Sequence, residues 1–312
     1  MRADRLTLSA FALIVLIGGV NFLAVRISNQ ELAPMFGAAV RFAAAALLLL
    51  AVAAVGRLAL PRGAGLQGSA VYGALSFGLA YALLYVGLAR VTAGLASVLM
   101  AAVPLLAFLL AVAHGQERFR WSGIGGGMLA VAGIALMSGG AGAGAAPFVY
   151  MLAIVGGAVC AAEGSVIAKT LPRSHPVATN AVGMTVGAVL LFALSAAFGE
   201  AWTIPQRAQT WWALVYLVLA GSMGMFGLFL FVVRRWTASA TAYALPLMPF
   251  VAVTLGVWLG GEDVTPALVA GGSLLLAGVY TGALRPSPLL AGSAASGDLG
   301  DAREPVDRPD RG

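Results

Sequence analysis

The spacing of charged residues constrains this chain more than any other feature of its sequence. Charge-free stretches cover residues 63–89, 91–116, 121–162, 174–199, 208–233, 236–261 and 264–284. A membrane-spanning helix needs about 20 largely apolar residues, so each stretch can hold one span and the longest can hold two. Only 10% of the 312 residues are charged, whereas a soluble domain carries about 25%. This composition excludes a water-soluble fold.

The pattern predicts an all-α integral membrane protein with ten transmembrane helices. We place the helices at residues 7–25, 34–55, 68–88, 91–113, 120–138, 148–168, 178–198, 212–233, 238–260 and 265–284. Arg2 and Arg5 precede the first apolar stretch as in a signal peptide, but no clean small-residue cleavage site follows, so we retain it as a span. Residues 285–312 are rich in Ser, Gly, Pro, Asp and Arg, which predicts a disordered cytoplasmic tail.

The distribution of Lys and Arg predicts the orientation, because cytoplasmic loops are enriched in these residues. With the N-terminus inside, fourteen of the 18 cations fall in cytoplasmic segments, three in external loops and Arg41 within a span. We therefore expect a multi-pass protein of the plasma (inner) membrane with both termini cytoplasmic. Cations scattered in this way do not indicate a nucleic-acid partner. One Cys, two His and no phosphate-binding loop predict neither a metal nor another cofactor, and no enzyme.

An internal repeat divides the chain into two units of five predicted helices, residues 7–138 and 148–284. When residues 90–133 are shifted by 145 positions, 14 of 44 residues are identical, and the matches include the rare pairs Pro104 with Pro249 and Glu117 with Glu262. An odd number of spans per unit inverts the second unit in the membrane. Inverted repeats of this kind are a common plan of secondary transporters, with the binding site between the halves.

Short motifs add a family resemblance that covers residues 7–284. The first helix contains Gly19-x-Asn21-Phe22, the second contains Arg41-Phe42 after Pro34, and in both halves a Pro precedes a Glu by thirteen residues. These features resemble the EamA-type exporters of the drug/metabolite transporter superfamily. The resemblance implies a central cavity lined mainly by helices 1, 3, 4, 6, 8 and 9, and export of small metabolites or amino acids.

Two charged residues lie within predicted spans. Glu163 is six residues before Lys169, about 9 Å inside the inner end of helix 6. It could couple transport to protons or bind a substrate amine, or it could bridge helices or reach the interface. Arg41 lies about 10 Å deep from the outer side. It could bind a substrate carboxylate, or serve a structural or gating role by snorkelling or by bonding to backbone carbonyls.

Residues at helix ends and helix bends form a second group. Glu117 and Glu262 each end a helix in loops on opposite sides of the membrane, which favours a structural or gating role. Pro104 and Pro249 lie inside helices at equivalent positions of the two halves, and Pro246 adds a second break. Each removes a backbone hydrogen bond, so these bends could line a cavity or serve plain packing.

Several uncharged residues could line a cavity near the middle of the membrane. Packing or interface anchoring is the alternative for the aromatic residues among them. The candidates are Asn21, Tyr81, Tyr85, Met225, Phe226 and Tyr243.

The sequence therefore predicts a secondary active transporter that exports a small metabolite or amino acid by alternating access, with proton exchange at Glu163. Its expected partners are a small-molecule substrate, the lipid bilayer and protons. The sequence does not specify an oligomeric state. A passive facilitator and an integral membrane protein without transport remain the alternatives.

Overall fold

A computed structural model describes residues 5–117, 119, 121–140, 145–172, 174–233, 235 and 244–281, and all regular structure among them is helical. The first half contains α1 (Arg5–Ser28), α2 (Pro34–Val55), α3 (Ala64–Gly73), α4 (Ala80–Leu88), α5 (Ala93–Met100), α6 (Val103–Ala113) and α7 (Trp121–Gly140). The second half contains α8 (Ala145–Ala168), α9 (Pro176–Ala197), α10 (Ala208–Val218), α11 (Met225–Val233), α12 (Ala244–Gly260) and α13 (Pro266–Val279). The predicted tail at 285–312 lies outside the described residues.

Many of these helices are long and apolar enough to cross a bilayer, which makes the chain a multi-pass integral membrane protein. Within the described ranges, seven helical stretches meet the length and hydropathy of a span, namely Arg5–Ser28, Pro34–Val55, Ala64–Leu88, Ala93–Ala113, Phe148–Ala168, Pro176–Ala197 and Ala208–Phe229. Three further apolar helices are shorter, namely Trp121–Met137, Ala244–Leu259 and Pro266–Val279.

Two of the long stretches contain a π-helical segment. Ala74–Leu79 joins α3 to α4, and Leu219–Gly224 joins α10 to α11. A π turn widens the helix and shifts the backbone hydrogen bonds, and such turns are frequent at functional sites. In the second segment the Ser222 hydroxyl donates to the Leu217 carbonyl at 2.9 Å. The segments therefore change which residues face the interior partway along each span.

The predicted helix at 91–113 is interrupted in the structure. It begins after Thr92, whose hydroxyl accepts the backbone N–H of Leu95 at 3.3 Å, and a turn at 101–102 separates α5 from α6. Pro104 occupies the first turn of α6, where its missing N–H leaves no helical hydrogen bond unmade. Pro104 thus starts a new helix after a break.

Close packing between the halves forms the core. Helix α2 packs along α9, α7 packs along α13, α1 packs against α12, and α4 packs against α8. Glycine permits the closest approaches, because a Cβ atom on Gly73 would lie 2.2 Å from the Gly183 carbonyl oxygen and one on Gly133 would lie 2.4 Å from that of Gly271. Small residues that allow backbones to touch are the usual means of packing helices in lipid.

Candidate substrate cavity

Arg41 is a buried cation inside the helix bundle, with 1% of its surface exposed. Its Nη2 donates to the Gly221 carbonyl at 3.1 Å, its Nε to the Ser222 hydroxyl at 3.1 Å, and its Nη1 to the Tyr85 hydroxyl at 3.3 Å. The guanidinium therefore does not snorkel to the bilayer surface, which was one of the two structural alternatives. It bonds to a backbone carbonyl, as the other alternative proposed.

Aromatic rings cover the guanidinium of Arg41. Its central carbon lies 5.1 Å from the ring centroid of Phe42 and 5.2 Å from that of Tyr81. A cation over a ring face within about 6 Å is attracted by the ring quadrupole, and more strongly when water is absent. These rings and the three hydrogen bonds offset part of the cost of burying the charge.

The second π segment presents Gly221 and Ser222 to Arg41. Gly221 has no side chain, and a Cβ atom there would lie 2.1 Å from Asn21 Oδ1 and 3.3 Å from Arg41 Nη2. The Asn21 amide is 3.5 Å from the Gly221 carbonyl, and its Oδ1 is buried without a hydrogen-bond partner among the described residues. Asn21 and Arg41 thus meet at Gly221, although α1 and α2 are far from this segment in sequence.

A cavity of about 250 Å³ adjoins Asn21 and Arg41. Its polar side chains are Asn21, Arg41, Tyr81, Ser97 and Ser165. The other lining residues that the structure describes are apolar, namely Gly18, Phe22, Val25, Leu84, Leu88, Met100, Ala101, Val103, Ala161, Met225, Leu245 and Met248. The lining comes from both halves of the chain, and its size and largely apolar character suit a small organic molecule.

The structure brings some of the predicted cavity residues together and separates others. Asn21, Tyr81 and Met225 line the cavity. Tyr85 does not line the cavity; it is fully buried, accepts a hydrogen bond from Arg41 and lies beside the ring of Tyr81. Phe226 lies in α11, but its side chain, like all of Tyr243, lies outside the described residues.

Glu163 is not part of the cavity lining. Its Oε1 lies 3.3 Å from Nε2 of His114, which bridges α8 to the end of α6. The other oxygen, Oε2, is buried and has no hydrogen-bond partner among the described residues. Nearby in the chain, Lys169 donates to Glu117 at 3.3 Å on the surface. Ser165, two positions from Glu163 in α8, lines the cavity instead.

Three carboxylates bind helix N-termini at one end of the bundle. Glu262 accepts the backbone N–H groups of Ala93 and Gly94 at 2.8 and 3.1 Å and forms an ion pair with Arg26. Partial positive charge at a helix N-terminus favours an anion there.

The other two carboxylates are Glu200 and Glu31. Glu200 accepts the backbone N–H groups of Met35 and Phe36 in α2. Glu31 accepts those of Gln206 and Arg207 before α10. We call the end of the bundle that holds Glu31, Glu200 and Glu262 the carboxylate end.

Sequence reasoning singled out Glu262 but missed Glu31 and Glu200. Their partners lie more than 160 positions away in the chain, so no local motif marks them. The hydroxyl of Thr210 is the main cause that lowers the pKa of Glu31, and backbone N–H groups and the charge of Arg207 add to the effect. A carboxylate in a loop between apolar helices is a sparse feature that could have marked both positions.

The other two prolines among the candidate residues, Pro246 and Pro249, lie in α12. Pro249 is inside the helix, and Pro246 is in its first turn. Pro249 borders a second recess between α12 and α13, together with Val98, and does not line the main cavity. In the described part of α12, the main cavity is lined by Leu245 and Met248.

Comparison with known proteins identifies the class. A family model described as the EamA-like transporter family matches the chain twice, over residues 5–139 and 148–281. The chain therefore belongs to the EamA-like transporter family. Family and relatives indicate a transporter rather than an enzyme.

Named relatives are similar over most of their length. The "Uncharacterized inner membrane transporter YedA" of Escherichia coli (strain K12) is 30% identical over 82% of this chain and 83% of its own. A "Probable terminal-alkyne amino-acid exporter" of Streptantibioticus cattleyicolor is 31% identical over 70% of this chain and 73% of its own. One solved crystal structure, 18% identical, superposes with a TM-score of 0.64 over 94% of this chain and 99% of its own, which shows a shared fold.

Proposed function

We propose that this chain is a secondary active transporter that exports a small metabolite or amino acid by alternating access. The observation that carries the proposal is the cavity between the two halves, whose described lining residues include one buried cation and are otherwise largely apolar. A binding site at the interface of two related halves is the usual plan of secondary transporters. The name of the Streptantibioticus relative favours amino acids among the substrate classes.

The proposal includes ten spans in two inverted repeats, residues 7–138 and 148–284. Helices α2 and α9 support it, because each has 22 residues and each starts at a proline, Pro34 and Pro176, 142 positions apart. The π segments support it further, since they start at residues 74 and 219 and end at 79 and 224, in each case 145 positions apart. The two separate matches of one family model agree with this division.

We further propose that both termini are cytoplasmic and that the protein resides in the inner membrane. Lys and Arg are more frequent in the segments that lie on the same side of the membrane as the N-terminus, and this excess supports the orientation. The printed name of the Escherichia coli relative supports the compartment. In this orientation the carboxylate end, with Glu31, Glu200 and Glu262, is external.

Two carboxylates at equivalent positions support a gating role in this cycle. Glu262 pairs with Arg26 at the carboxylate end, and Glu117, 145 positions earlier, pairs with Lys169 at the opposite end. The Glu262 side chain is 5% exposed and that of Glu117 is 40% exposed. This asymmetry fits a state whose carboxylate end is tightly joined, and alternating access requires the two ends to open in turn.

Proton exchange at Glu163 remains our proposal for the coupling. The carboxylate lies within α8, its Oε2 lacks a hydrogen-bond partner among the described residues, and its Oε1 contacts the titratable His114. A carboxyl group inside a span is a frequent proton carrier in transporters. Because Glu163 does not line the cavity, we propose that it couples through movement of α8, which also carries Ser165.

A growth screen followed by a flux measurement tests the function. Cells with and without the protein are compared for resistance to toxic amino-acid and metabolite analogues, and the compound with the largest difference is carried into proteoliposomes. We expect accumulation above equilibrium when a pH gradient is imposed. Equilibration without accumulation would favour the passive facilitator. No flux beyond protein-free liposomes, for any compound, would contradict transport altogether.

A further inference from the structure

In the part of the chain that the structure describes, no acidic side chain forms an ion pair or hydrogen bond with Arg41. The chain has 12 Asp and Glu residues. Five of them are already engaged elsewhere in the structure, with Arg207, Lys169, His114, α2 and Arg26 as partners. The remaining ones are Asp4, Asp263 beside Glu262, and five residues after position 297. A cation inside a membrane protein normally pairs with an anion or marks a substrate path.

Arg41 also retains hydrogen-bonding capacity on the cavity side. A guanidinium has five N–H groups, and three are used by Gly221, Ser222 and Tyr85. Two N–H groups therefore remain for a ligand, as judged from the described residues, and Arg41 lines the cavity. The planar fork of Arg matches the two oxygens of a carboxylate.

An unpaired acceptor lies beside the same cation. Asn21 Oδ1 is buried without a donor among the described residues, and Asn21 lines the cavity against Gly221, as Arg41 does. A buried acceptor without a donor calls for a water molecule or a ligand group in its place. An ammonium group next to a carboxylate would provide that donor.

We propose that Arg41 binds the carboxylate of the substrate and Asn21 binds its ammonium group, with the apolar side chain held by Leu84, Met100 and Met248. The preferred substrate is then a zwitterion with an apolar side chain. This inference rests on the proposed function, and it adds the two residues that bind the carboxylate and ammonium groups of the substrate. We call these two groups the head group. A substrate without a carboxylate would leave Arg41 without a charged partner among the described residues.

Equilibrium binding to the purified protein in nanodiscs tests the proposal. The probes are L-leucine, L-methionine and L-phenylalanine, each compared with its primary amide and with its deaminated acid. We expect at least one amino acid to bind at least about tenfold more tightly than its amide, the scale of a bidentate charge-assisted contact. We also expect the deaminated acid to bind more weakly than the amino acid, because it lacks the ammonium group. The assignment to Arg41 would be overturned if none of the three amino acids binds, or if each binds with the same affinity as its amide. The assignment to Asn21 would be overturned if each amino acid binds with the same affinity as its deaminated acid.

Two variants and one control variant separate the binding role of Arg41 and Asn21 from a structural one. Arg41→Lys keeps the charge but loses the planar fork, so the preference for the acid over the amide should fall. Asn21→Asp places a carboxylate beside Arg41, so the acid should bind at least tenfold more weakly while the amide keeps or gains affinity. Tyr85→Phe removes one hydrogen bond to Arg41 and leaves the spare N–H groups in place, so the acid preference should persist. An unchanged acid preference in Asn21→Asp would contradict the proposal.

Binding and flux distinguish the failure of this inference from failure of the proposed function. Acid-selective binding without any flux into proteoliposomes would contradict transport and keep the head-group assignment. Flux without discrimination between acid and amide would keep transport and overturn the head-group assignment.

Discussion

Glu262 and Arg26 form an ion pair that joins the segment after α12 to the end of α1. The same carboxylate accepts the first backbone N–H groups of α5, Ala93 and Gly94. One side chain thus holds three parts of the chain at the carboxylate end. Gly256 makes room for it, since a Cβ atom there would lie 2.4 Å from Glu262 Oε2.

Replacing Glu262 should destabilise the protein more than replacing its counterpart. Glu262→Gln removes the ion pair and leaves buried donors poorly satisfied, which costs about 1–3 kcal/mol. Glu117→Gln is the matched control, because its pair with Lys169 is exposed and such pairs contribute about 0–1 kcal/mol. Thermal unfolding in detergent should show a clearly lower midpoint for the first variant alone. Equal midpoints for Glu262→Gln and Glu117→Gln would contradict the stabilising role of Glu262 at the carboxylate end.

A methyl group at Gly221 should disrupt the cavity. Gly221→Ala places Cβ 2.1 Å from Asn21 Oδ1, so Asn21 or the π segment must shift, at a cost of about 1–3 kcal/mol. We expect transport to fall at least about tenfold with a modest loss of stability. Gly227→Ala in α11 is the control, since among the described residues no atom beyond its chain neighbours and its own helix backbone lies within 4 Å of the Cβ position. Wild-type flux in Gly221→Ala would show that the close approach of Asn21 is not required.

Acid should weaken the contact between the α1–α2 loop and α10. The pKa of Glu31 is lowered from its ordinary 4.5 by the hydroxyl of Thr210 and by backbone N–H groups. A lowered pKa means that the stabilisation is complete above pH 4.5 and is lost as the pH falls through the pKa of the folded state. The difference in thermal midpoint between wild type and Glu31→Gln should be constant from pH 8 to about 5 and shrink below that. A difference that grows on acidification would contradict this contact.

Neutralising Glu163 should separate proton coupling from substrate exchange. In Glu163→Gln proteoliposomes, we expect the stimulation by an imposed pH gradient to disappear because no proton can be carried at this position. Substrate counterflow without a gradient should persist, because Glu163 does not line the cavity. Gradient-driven accumulation equal to wild type would remove Glu163 from the coupling mechanism.

Hydropathy predicted most of the helical architecture because lipid imposes length and apolarity on every span. The helix predicted at 34–55 matches Pro34–Val55. Hydropathy could not predict the π segments, since Ala74–Leu79 and Leu219–Gly224 lie within the charge-free stretches 63–89 and 208–233, where an α turn and a π turn have the same uncharged pattern. The break before Pro104 was visible only as a proline in an apolar run.

The candidate site was predicted less completely, because its contacts join distant parts of the chain. The depth of Arg41 could be read from its distance to Pro34, but Gly221 and Ser222 lie 180 and 181 positions away. Tyr81 and Tyr85 share one helix face, yet one lines the cavity while the other is buried behind Arg41. Only tertiary packing makes that distinction.

The central claim, two five-helix units inverted in one membrane, is tested most directly by the sidedness of two equivalent positions. Arg62 follows α2, and Ile204, 142 positions later, follows α9; both are exposed. With Cys160 replaced by Ser, each position is changed to Cys and treated in whole cells with a membrane-impermeant maleimide. We predict labelling of Ile204→Cys in intact cells and of Arg62→Cys only after permeabilisation. Labelling of both from the same side would contradict the inverted arrangement.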